Sequence, residues 1–60
     1  MNKDEAMSDQ GIIFGDLLDE LKNLFYDMPA PESDSLQWSH VESARKVNQD
    51  LKELIEFLTP

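Results

Sequence analysis

The sequence contains no cysteine, which removes disulfide staples, thiolate metal sites and thiol nucleophiles together and leaves the redox compartment unread. Basic residues are scarce: five Lys and Arg stand against 13 Asp and Glu, a formal net charge of −8 over 60 residues. A chain of that balance lacks the clustered cations that DNA, RNA or anionic lipid headgroups require, so neither nucleic acid nor membrane surface is an expected partner. No apolar run is long enough to span a bilayer, and no basic-then-apolar segment opens the sequence. A cytoplasmic location is the expectation. Only one histidine and two glycines occur, and there is no phosphate-cradling glycine loop, zinc-ligand spacing or nucleophile motif.

Apolar periodicity is what the sequence does have. Phe14, Leu17, Leu18, Leu21, Leu24, Phe25 and Met28 recur at steps of three, four and one, while adjacent pairs such as Leu17–Leu18 break any period of two. This predicts an amphipathic helix over about 12–28, with Ser8 and Asp9 as candidate caps. The preceding stretch, 1–10, is polar and aperiodic and is expected to be a disordered acidic arm. Pro29 and Pro31 stop the first helix and open a loop over 29–35. A second stripe of Val41, Ala44, Val47, Leu51, Leu54, Ile55 and Leu58 predicts a helix over about 36–58. Asp34…Gln37 and Ser39…Glu42 both have capping-box spacing, leaving its start open by a turn. Glu42…Lys46 and Lys52…Glu56 are spaced for exposed ion pairs.

The expected fold is therefore all-α, an antiparallel two-helix hairpin over 11–60. Both stripes are wider than one facing helix can cover, and a chain of this length is marginal by itself. Dimerisation into a four-helix bundle is the simplest completion.

Candidate chemistry is thin. His40 lacks a nucleophile and an orienting carboxylate and reads as a solvated or capping residue. Asp16, Glu20 and Asp27 lie on one ridge of the first helix with Asp19 beside it. A magnesium-holding enzyme needs such carboxylates turned inward, and here they lie opposite the apolar stripe. No catalytic, metal or cofactor residue is therefore expected. The ridge reads as a solvated face or as a surface for a basic target protein. Tyr26 and Trp38 lie off their main stripes, among Phe25, Met28, Pro29, Pro31 and Leu36. That cluster reads as a plug at the loop end, and the two off-stripe aromatics as candidate partner contacts. Leu21, Leu51, Ile55 and the off-stripe Phe57 are candidate dimer contacts. Asn48, in a column shared with Val41 and Ile55, is a candidate register-setting polar residue. Gly11 and Gly15 have the spacing that permits close approach of another backbone.

Two functions follow as expectations. The first is a non-catalytic, self-associating interaction module, acting as adaptor, chaperone or regulatory subunit. The second is an acidic inhibitor, of the immunity-protein, antitoxin or nucleic-acid-mimic kind, that blocks a basic site.

Overall fold

Asn2 sets where the fold begins. Its Oδ1 accepts the Glu5 backbone N–H at 2.8 Å, and its Nδ2 donates to Glu5 Oε1 at 3.4 Å. This pairing satisfies one of the donors that a helix start leaves open. Asp4 and Glu5 place negative charge in the first turn, where the helix dipole favours it. The resulting helix, α1, spans Lys3–Tyr26 in a computed structural model that describes residues 2–60. Residues 3–10, expected as a disordered arm, thus form its opening turns, and Ser8 and Asp9 lie within the helix. Between the cap and the apolar stripe Asp4, Ser8 and Asp9 are mildly unfavourable and Gly11 more so, but extending a nucleated helix costs far less than nucleating a new one. Met1, the first residue of the expected arm, lies outside the described residues.

Gly11 and Gly15 have ordinary helical backbone, and a Cβ built on either meets nothing within 4 Å. Their spacing serves no close approach within the chain. Gly15→Ala is therefore expected to stabilise α1 by about 0.5–1 kcal/mol, seen as a higher melting temperature. A lower one would put another backbone against that position.

Asp27 caps the end of α1, its N–H donating to Asn23 O at 3.0 Å. Pro29 and Pro31 follow, and the connection covers 27–37, two residues more at each end than expected. Two turns order it. The Ser33 N–H donates to Ala30 O at 2.9 Å and the Leu36 N–H to Ser33 O at 3.1 Å. The Ser33 hydroxyl oxygen accepts the Ser35 N–H at 3.2 Å.

The second helix, α2, spans Trp38–Leu58 and is capped by Gln37, not by Asp34 or Ser39. His40 Nδ1 accepts the Gln37 backbone N–H at 3.0 Å, the task that Glu performs in a capping box. An accepting Nδ1 carries no hydrogen, so the bond assigns the proton of the neutral ring to Nε2. At the other end the Thr59 N–H and hydroxyl both donate to Ile55 O, at 3.0 and 2.7 Å. Lys46 bonds both carboxylate oxygens of Asp50, at 3.0 and 2.9 Å, rather than pairing with Glu42. This hydrogen bond and the Asp50 charge raise the Lys46 ammonium above its usual range. Both side chains are more than half exposed, so the pair adds little stability.

The chain is all-helical, with two helices and no strand among the described residues. Leu18, Leu21, Phe25 and Met28 of the α1 side and Val41, Ala44, Val47 and Leu51 of α2 are each partly buried, marking the faces the helices turn toward each other. Past that seam the helices part. The radius of gyration is 15.6 Å, against about 10 Å for a compact chain of this length. The long axis is 51 Å, whereas α1 alone rises about 36 Å. The molecule is a V with its elbow at the loop. None of the described residues is fully buried.

Candidate interaction surface

Opening the V divides each apolar stripe. On α1, Leu18, Leu21 and Phe25 turn toward α2. At 100° per residue Ile13, Leu17 and Leu24 lie about 60–120° round the helix from them, and all three remain exposed. On α2 the stripe runs on past Leu51 through Leu54, Ile55 and Leu58, which have no opposing side chain where the helices diverge. Phe14 and Ile55, both in the mouth of the V, are each 65% exposed. Phe57 is 84% exposed on the other side of the α2 tip. A monomeric soluble protein rarely leaves so continuous an apolar surface open.

At the elbow the helices and loop enclose a cleft of about 560 Å³, lined by Phe25, Met28, Pro31, Leu36, Val41 and Ala44 among others. Tyr26 also lines it, its ring edge-on to Phe25 with centroids 5.7 Å apart and planes at 80°. The cluster expected to plug this end instead walls an open apolar hollow. Pro29 and Pro31 stop α1 from continuing, and the loop they open runs along one wall of this hollow. Trp38 stands outside the Phe25–Tyr26 pair, beside Leu36 and Val41, and is 75% exposed.

The candidate residues therefore fall into three places. Leu21, Asn48 and Leu51 meet along a shallow groove of about 170 Å³ between the helices. Leu21 and Leu51 are partly buried there, while Asn48 is exposed at its lip. Ile55 and Phe57 sit at the tip of α2, Tyr26 and Trp38 at the elbow. Asp16, Glu20 and Asp27 lie within about 40° of one another on α1 and about 160° from the seam, with Asp19 about 60° further round. All four are exposed. No three His, Asp or Glu side chains gather to a cation site among the described residues. No helix among them is long and apolar enough to cross a membrane.

His40 and Ala44 as cleft residues were missed in the sequence. The signal was present in Gln37…His40, whose spacing of three fixes the helix start and with it the face that His40 and Ala44 share. The chain matches no family model, no curated protein and no solved structure.

Proposed function

We propose that the chain is a small non-catalytic protein–protein interaction module, an adaptor, chaperone or regulatory subunit working in the cytoplasm, and that it self-associates. One observation carries this reading. The accessible surface is 5698 Å², whereas a folded monomer of this mass exposes about 4,000 Å². Removing the excess from two copies would bury about 3,400 Å² in all, the size of an obligate dimer interface. A four-helix bundle of two hairpins is the completed fold under this proposal.

A second reading has the ridge of Asp16, Asp19, Glu20 and Asp27 engage a basic site on a target protein. Its support is the ridge's position, exposed and about 160° from the seam, with Ile12 and Ile13 on its flanks.

Salt separates the two. Two copies carrying −8 each repel, and screening weakens that repulsion while salting-out favours apolar burial. The self-association constant is therefore expected to rise several-fold between about 0.02 and 0.5 M NaCl, where the Debye length falls well below 10 Å. Sedimentation velocity reads it directly. A complex that weakens with salt would instead support the acidic ridge against a basic partner.

A further inference from the structure

We infer that two copies interlock mouth to mouth, with the tip of α2 from each copy seated in the elbow cleft of the other. This deepens the self-association reading and rests on it. The first argument is a knob and a hole on one chain. Leu54, Ile55, Phe57 and Leu58 spread over about 160° of the helix circumference, a broad apolar face with Glu53 and Glu56 on the opposite side. A face of that width with no counterpart in its own chain calls for an apolar surface to cover it. The elbow cleft offers about 560 Å³ of apolar-lined space, within the range that receives a group of this size.

The second argument is placement. From Val41 at the cleft to Phe57 at the tip is 16 residues, about 24 Å of helix. A chain cannot fill its own cleft with its own tip. Two copies related by a two-fold axis, elbows at opposite ends, bring each tip to the other's elbow. The same contact then forms twice and the assembly closes at two, which a head-to-tail contact would not do.

Charge along α2 itself is uneven. Within the helix Arg45 and Lys46 outnumber Glu42 in the first half, and Asp50, Glu53 and Glu56 outnumber Lys52 in the second, while the connection beside the cleft adds Asp27, Glu32 and Asp34. Antiparallel α2 helices set the cationic part of one level with the anionic part of the other. Elbows placed together would instead oppose Glu53 and Glu56 to their own copies. Arg45 makes no ion pair among the described residues, so its charge is free for this role.

The absence of native cysteine gives a clean test. Thr59→Cys, beside the apolar tip residues but not one of them, and Ala30→Cys each alter an exposed side chain, at the tip and at the cleft wall. Equal amounts of the two variants, mixed reduced and then oxidised, are expected to give mainly the mixed disulfide dimer, with each variant alone cross-linking slowly. In a wild-type background Phe57→Ala is expected to weaken self-association at least about tenfold by sedimentation with helicity unchanged. Homodimer disulfides without the mixed species would overturn the interlocked placement while leaving self-association standing. So would a dimer that sediments normally but forms no mixed cross-link, or one that Phe57→Ala leaves intact. A wild-type chain that sediments as a monomer at every concentration would overturn the underlying reading as well.

Discussion

Leu51→Ala is expected to cost ~2–5 kcal/mol and, in so small a domain, to abolish cooperative thermal unfolding at micromolar concentration; Leu21→Ala should do the same. These two residues line the same shallow groove, one from each helix. The size of the loss carries information because both are only partly covered within one chain. A side chain at an open groove can be trimmed without leaving a cavity, since water and neighbours relax into the gap. Truncation then costs little beyond the lost transfer free energy of the methyl groups, about 1–2 kcal/mol with burial incomplete. Completing the core with a second copy adds the cavity term. Denaturant melts monitored by circular dichroism read the difference, and a loss below about 1 kcal/mol at both sites would contradict a seam at these positions.

The second large effect is on assembly. Phe14→Asp and Ile55→Asp place carboxylates in the mouth of the V, where each native side chain is 65% exposed. In an isolated chain such a change amounts to a few tenths of a kcal/mol of helix propensity and a little lost apolar contact. Within an interface of two copies it forces two like carboxylates into an apolar setting, because a two-fold axis repeats every substitution. Desolvating an unpaired charge costs several kcal/mol, so the expected result is complete dissociation at concentrations where the wild-type chain associates. Multi-angle light scattering gives the mass and circular dichroism the helicity. An unchanged mass for both variants would remove the mouth of the V from the interface. Loss of helicity in dilute, already monomeric protein would show instead that the V closes on itself in solution.

Much of this architecture was legible in the sequence. The apolar steps from Phe14 to Met28 and from Val41 to Leu58 marked both helices, and Pro29 and Pro31 marked the break, since side-chain period and missing backbone donors are local properties. The start of α1 was not legible from periodicity. It is set by a single cap, Asn2 with Glu5, and residues 3–10 are helical with no apolar face to announce them. His40 as the capping partner of Gln37 was hidden because imidazole replaces the familiar Glu at that spacing. The Lys46–Asp50 pair prevailed over Glu42–Lys46, although both have the same separation; sequence spacing alone does not choose between two carboxylates flanking one lysine.

The candidate interaction surface was only half visible. Stripe width in the sequence said that apolar surface exceeds what one neighbouring helix covers, and Phe57 stood out as misplaced. The elbow cleft did not, because it arises from how far 27–37 holds the helices apart. That depends on turn geometry at Ser33 and Ser35, which composition does not encode. The acidic ridge was fully readable, since helical angle follows from residue number alone.

Sedimentation equilibrium over a wide concentration range, joined to thermal melts at the same concentrations, tests self-association most directly. Mass should approach twice the 6.9 kDa of one chain at high concentration, and the melting temperature should climb with concentration, because association draws on the folded state alone. A cooperative, concentration-independent melt of a 6.9 kDa species would contradict it.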